Sequence, residues 1–151
     1  MTKEEIISLP TDAGEASELK MRLICEAADD QKAHGITVLD VRGQTIVADF
    51  FIICDGTSVT HIQSIAEGVQ DKLRERAEQR ARREGNAQSY WMIVDYGDVI
   101  LHVFSEETRE FYDLERLWSD AKVSTFEDGV FTEKLPDDDD DESADEATSE
   151  I

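Results

Sequence analysis

Residues 90–118, YWMIVDYGDVILHVFSEETREFYDLERLW, restrict the fold more than any other stretch, because two alternating runs flank a turn suited to a tight hairpin. Gly97-Asp98 supplies a two-residue turn with glycine at its first central position. That turn sets Tyr96 opposite Val99, Asp95 opposite Ile100, Ile93 opposite His102 and Trp91 opposite Phe104. Alternation then sorts the side chains onto two faces. Met92, Val94, Tyr96, Val99, Leu101 and Val103 form a nearly all-apolar face that reads as core. Trp91, Ile93, Asp95, Ile100, His102 and Phe104 form the other. A face mixing large aromatics with a carboxylate and an imidazole suits a surface packed under another element, or one that meets a partner.

Helical and extended patterns alternate along the rest of the chain. Leu19, Leu23, Ile24, Ala27, Ala28 and Gln31 recur at three- and four-residue steps, predicting a helix over 17–34 that Gly35 stops. ITVLDV (36–41) and ADFFIIC (48–54) are β-branched and aromatic runs separated by a polar turn with Gly43, and the second, apolar throughout, reads as a central strand. Ile62, Ile65, Ala66, Val69, Leu73 and Ala77 predict a helix over 59–84 with Thr57 or Ser58 as its N-cap. Ser105, followed by Glu106 and Glu107, starts another helix, in which Phe111, Leu114, Leu117 and Trp118 read as a buried stripe. Residues 123–130 add one short strand. The order α-β-β-α-β-β-α predicts an α/β protein: a mixed β-sheet with packed helices.

A length of 151 residues suits one core that buries about two-thirds of the unfolded surface. The expected organisation is a flexible leader over 1–15, a folded domain over 16–132 and a disordered acidic tail over 133–151. Ten carboxylates against Lys134 give that tail −9 of the net charge of −21, and residues 1–132 carry the other −12. A body this acidic repels phosphate backbones, so little direct nucleic-acid binding is expected and a basic protein partner fits better. The one basic cluster is Lys72, Arg74, Arg76, Arg80, Arg82 and Arg83. It is interleaved with Glu75, Glu78 and Glu84, for which a solvated, salt-bridged face is a simpler reading than an RNA patch. Cys25 and Cys54 sit in apolar contexts without metal-ligand spacing and read as reduced core thiols, which suits the cytoplasm. No targeting signal or apolar run of membrane-spanning length is present, so no membrane association is expected.

Two constellations invite a catalytic reading. DGTS (55–58) stands at a strand-to-helix junction where exposed N–H groups can hold a phosphate, yet Asp55 repels an anion unless a metal intervenes, and helix capping is the simpler role. His102 lies near Asp95 and Asp98 in sequence pairing and can be a general base, but no nucleophile signature accompanies it. A mixed contact surface is the better account of it.

Taken together, ADFFIICDGTS, SVTHIQSIAEGV, and WMIVDYGDVILHVF followed by EETREFYDLERLW resemble the ribosomal silencing factor family, also called the Iojap family, over about residues 17–122. The resemblance implies a nucleotidyltransferase-like topology without nucleotide transfer, and therefore no enzyme activity, no metal and no cofactor. It implies binding to large-subunit ribosomal protein L-fourteen, obstruction of small-subunit joining, repression of translation in scarcity, and homodimers off the ribosome. It also implies a contact surface using Trp91, Tyr96 and Phe104, with Asp95, Asp98 and His102 beside them to meet Lys or Arg. On that reading, Trp91→Ala or Phe104→Ala weakens the complex and leaves the fold intact. The alternative is a nucleotide- or phosphate-binding enzyme built on the DGTS loop.

Overall fold

The computed structural model describes residues 13–134. Most of the expected leader and the acidic segment from 135 onward therefore lie outside the described residues. A seven-stranded sheet of order β3-β4-β5-β2-β1-β6-β7 organises the domain. Its strands are β1 (His34–Asp40), β2 (Phe50–Gly56), β3 (Arg82–Asn86), β4 (Trp91–Asp95), β5 (Val99–Ser105), β6 (Lys122–Glu127) and β7 (Val130–Lys134). Only β2 and β5 run parallel; every other neighbouring pair is antiparallel. The sheet is thus mixed, as the sequence pattern predicts.

Helices α1 (Ala13–Asp30) and α2 (Val59–Ala77) cover one face. Their apolar stripes, among them Ile24, Ala28, Ile62, Ile65, Val69 and Leu73, meet Val38, Ile52, Cys54, Met92, Val94, Leu101 and Val103 in the main core. All seven residues of β2 are buried, which matches its uninterrupted apolar sequence and its central place between β1 and β5. The opposite face carries a smaller cluster of Leu39, Val41, Phe51, Ile53 and Phe104, partly roofed by the short helices α3 (Glu106–Tyr112) and α4 (Leu114–Leu117).

The hairpin forms in the expected register, with Trp91↔Phe104, Ile93↔His102 and Asp95↔Ile100 paired and Tyr96 N–H donating to the Val99 carbonyl at 3.0 Å. Gly97 takes φ +90°, which a side chain would resist, and that is why glycine stands first in the turn. Ser58 and Ser105 each accept a bond from the backbone three residues on, capping α2 and α3.

Four sequence expectations are corrected. Helix α1 begins at Ala13 and ends at Asp30, earlier at both ends than 17–34. Helix α2 ends at Ala77, with Glu78 at φ 54°, because no apolar stripe continues past that turn; residues 82–86 become β3 and complete the hydrogen bonding of β4. The terminal strand is a hairpin, β6 and β7, joined by Asp128-Gly129 at φ 51° and 80°. That turn places residues 133 and 134, expected in the acidic tail, within β7. The aromatic helix breaks at Asp113, φ 45°, and leaves Phe111 80% and Leu117 71% exposed instead of buried.

Candidate functional site

Sheet pleating puts Trp91, Ile93 and Asp95 on the face away from α1 and α2, beside Ile100, His102 and Phe104 of β5. The Trp91 ring lies 5.0 Å from that of Phe104 and 4.5 Å from that of Tyr112, with its indole N–H donating to His102 Nδ1 at 3.1 Å. His102 stacks at 6.0 Å on Phe104 and meets Phe51 edge-on at 5.9 Å; Phe51 then reaches Trp118 at 5.3 Å. The result is one aromatic layer running from Tyr112 to Trp118 across β4, β5 and β2.

Within that layer the expected exposure of Phe104 is corrected: its ring is 0% exposed, sealed beneath Trp91 and Tyr112. Trp91 is half-buried, while Tyr112 is 48% exposed and contacts Phe111 at 5.0 Å in a T-shape. At this end of the layer Phe111 and Tyr112 face solvent, with half-buried Trp91 beside them. Helical periodicity assigned Phe111 inward because it assumed one uninterrupted helix. The Asp113 break ends the helix after Tyr112, so no continuous stripe runs on from Phe111, which is left exposed.

Burial pushes the His102 imidazole down to about 4, with Asp95 pulling weakly the other way. It is neutral at pH 7, and Nδ1 is occupied as an acceptor for Trp91, an arrangement that positions the indole and not a base. Asp95 accepts from the Gly97 N–H at 2.7 Å and lies 3.7 Å from Arg82.

Tyr96 and Asp98 fall on the other side of the sheet. Tyr96 packs against the main core, its hydroxyl buried without a hydrogen-bond partner among the described residues and its ionisation pushed up by that burial. Burial alone would raise the Asp98 carboxyl, but bonds from Lys20 and Ser17, both at 2.7 Å, outweigh it and hold the group below the usual carboxylate range. Asp98 is occupied in fastening the turn to α1. Of the six expected residues, the fold brings Trp91, Asp95, His102 and Phe104 together and sends Tyr96 and Asp98 to the helix face.

The DGTS segment opens onto a recess of about 620 Å³ where the parallel strands β2 and β5 end, the usual place for a ligand in an α/β sheet. Here Asp55, buried at 8% exposure, receives Arg109 Nη1 at 3.0 Å; Arg109 also binds Thr37 Oγ1 at 3.0 Å and Glu115 at 3.1 Å. Desolvation opposes the Arg109 charge, but Glu115 and Asp55 more than restore it. Glu106, Glu107 and Glu110 line the mouth. An anionic phosphate would meet this row of carboxylates, while Arg109, the cation beside Asp55, is already shared by two. Nothing in the sequence pattern pointed to Arg109, since its two strand partners, Asp55 and Thr37, stand 54 and 72 positions away.

The family profile described as "RsfS: Ribosomal silencing factor during starvation" matches residues 14–150 of this chain. The ribosomal silencing factor RsfS of Bacillus subtilis is 38% identical over 110 residues, which are 73% of this chain and 93% of that protein. Mouse "Mitochondrial assembly of ribosomal large subunit protein 1" is 31% identical over 114 residues, 72% of this chain and 49% of its own length. Among solved structures, a Chromobacterium violaceum protein superposes with a TM-score of 0.65 at 33% identity, covering 68% of this chain and 85% of its own. A Bacillus halodurans protein gives 0.60 at 36%, covering 67% and 94%.

Proposed function

The chain belongs to the ribosomal silencing factor family, and on that footing we propose that it docks on the large ribosomal subunit through ribosomal protein L-fourteen and blocks joining of the small subunit. On this reading it is a non-catalytic repressor of translation in the cytoplasm, and its bulk supplies the obstruction. The observation that carries the proposal is the aromatic layer: Trp91, Tyr112 and Phe111 reach solvent together, and rings so exposed on an otherwise charged surface mark a contact site. Glu106, Glu107 and Glu110 on the same short helix supply acids for a basic partner, which speeds encounter and fixes register. The same rings give a homodimer when no ribosome is present to cover them.

Co-sedimentation with isolated large subunits, small subunits and intact ribosomes tests it. The protein is expected with large subunits alone, and Tyr112→Ala should weaken that binding by about 2 kcal/mol, roughly thirtyfold in Kd, while the melting temperature stays close to the parent's. Equal partitioning to both subunits would overturn the proposal.

A nucleotide- or phosphate-binding enzyme at the DGTS recess is the weaker reading, because Asp55 is committed to Arg109 and the rim is acidic. Calorimetric titration with nucleoside triphosphate and magnesium should give no heat of binding. Saturable heat lost in Asp55→Asn would restore the enzyme reading.

A further inference from the structure

The only net-basic stretch of the chain ends up on a sheet edge. Arg74 and Arg76 close α2, and Arg80, Arg82 and Arg83 follow through the connection into β3, the outermost strand beside β4. All five are exposed. Arg74 is paired with Asp71 within its own helix, Arg82 lies only loosely against Asp95 at 3.7 Å, and Arg83 reaches Gln70 at 3.4 Å. Arg76 and Arg80 have no hydrogen-bond or ion-pair partner among the described residues. Every residue of β3 is exposed, and its outer edge is unpaired within the sheet.

The strand register fixes where the chain leaves the domain relative to that edge. Lys134 pairs with Val123, Val123 with Leu39, Leu39 with Phe51, Phe51 with Ile100, Ile100 with Asp95, and Asp95 with Arg82. Lys134 and Arg82 thus stand at the two ends of a single row across all seven strands. Six strand spacings of about 4.8 Å separate them by roughly 29 Å. Beyond Lys134 the sequence continues for 17 residues, PDDDDDESADEATSEI preceded by Leu135, with nine carboxylates and no cation. Such a length reaches up to about 56 Å when extended, so the acidic positions from 141 to 146, aided by the long arginine side chains, span the row.

We infer that the acidic segment at 141–146 of this same chain, with Asp141, Glu142, Asp145 and Glu146, docks on the basic edge formed by the end of α2 and β3. Two properties favour it over a foreign polyanion. The tether holds the segment at an effective concentration in the millimolar range, so pairing too weak to hold a separate molecule is still populated. The acidic body, by contrast, repels any second polyanion while it cannot expel a segment covalently joined to it. Docked there, the segment screens the arginines from RNA and covers the exposed strand edge. The inference does not rest on the proposed ribosomal partner.

A nitroxide label on Ser143→Cys in the full chain provides the test. Cys25 and Cys54 are buried, and burial pushes the Cys54 thiol up to about 12 and Cys25 higher still, so the added thiol is labelled selectively. At low salt the amide signals of residues 80–86 should broaden. That broadening should fall at least threefold in 0.5 M salt, where screening shortens the reach of charge, and equally in a neutralised variant with Asp141 and Asp145 replaced by Asn and Glu142 and Glu146 by Gln. It should persist when the labelled chain is diluted into excess unlabelled chain. Broadening at 80–86 no greater than in the neutralised variant would overturn the inference, and so would broadening that vanishes on dilution, which would assign the segment to a second copy.

Discussion

Trp91 and Phe104 face each other across one pair of strands and yet serve different ends. Phe104 is the largest of the fully buried side chains, so Phe104→Ala removes a ring that the fold rests on. A loss of about 3–5 kcal/mol is expected, read by urea denaturation, and this replaces the expectation that the substitution would spare the fold. Trp91 keeps an exposed edge while its indole N–H is fixed by His102, so its truncation should affect both folding and docking. His102 itself gives a pH prediction. Unfolded, its imidazole titrates near 6.5; folded, near 4. Between those values the unfolded chain binds a proton that the native one refuses. The stability contributed by the neutral ring is therefore complete above 6.5 and declines as pH falls toward 4. Its size is at most about 3 kcal/mol. His102→Gln should flatten the fall in melting temperature across that window, and an unchanged profile would remove the buried imidazole from the account.

At the scale of elements, the short helix α3 depends on two anchors, because seven residues are too few to hold a helix by propensity. One is the Ser105 cap, whose loss in Ser105→Ala should cost about 1 kcal/mol. The other is Arg109, which ties the helix to Asp55 of β2 and Thr37 of β1. Arg109→Met leaves a buried carboxylate without its counter-charge, and a loss of about 3 kcal/mol is expected in chemical denaturation. Arg109→Met combined with Asp55→Leu should recover much of it, since removing both charges leaves nothing to compensate. A double variant as unstable as the sum of its parts would argue against the pairing. Because α3 carries Tyr112, loosening Arg109 should also weaken the proposed binding to large subunits.

For the whole molecule, asymmetry between the two sheet faces is the governing feature. Long helices α1 and α2 cover the central strands on one face, whereas α3 and α4 are too short to roof the other and leave aromatic rings in solvent. A body whose central strands are well covered on one face and poorly covered on the other is suited to docking through the poorly covered one. Among the described residues no helix is long and apolar enough to cross a membrane.

Local chemistry was enough to read the hairpin register, the central strand β2, the Ser105 cap and, to within the pair Thr57 and Ser58, the cap of α2, because a two-residue turn, a β-branched run and a hydroxyl before a helix act within a few residues of themselves. Even the separation of Trp91 and Phe104 from the core-facing residues followed from the two-residue period of a strand. Periodicity misled wherever backbone geometry or distant partners overrode it. It carried α2 past Glu78, missed β3, whose formation answers to the open edge of β4, and buried Phe111, which the Asp113 break leaves exposed. It was equally silent on Arg109 and on how deeply Phe104 lies. Both follow from which segments the parallel pairing of β2 with β5 brings over one another, and no window of sequence contains that pairing.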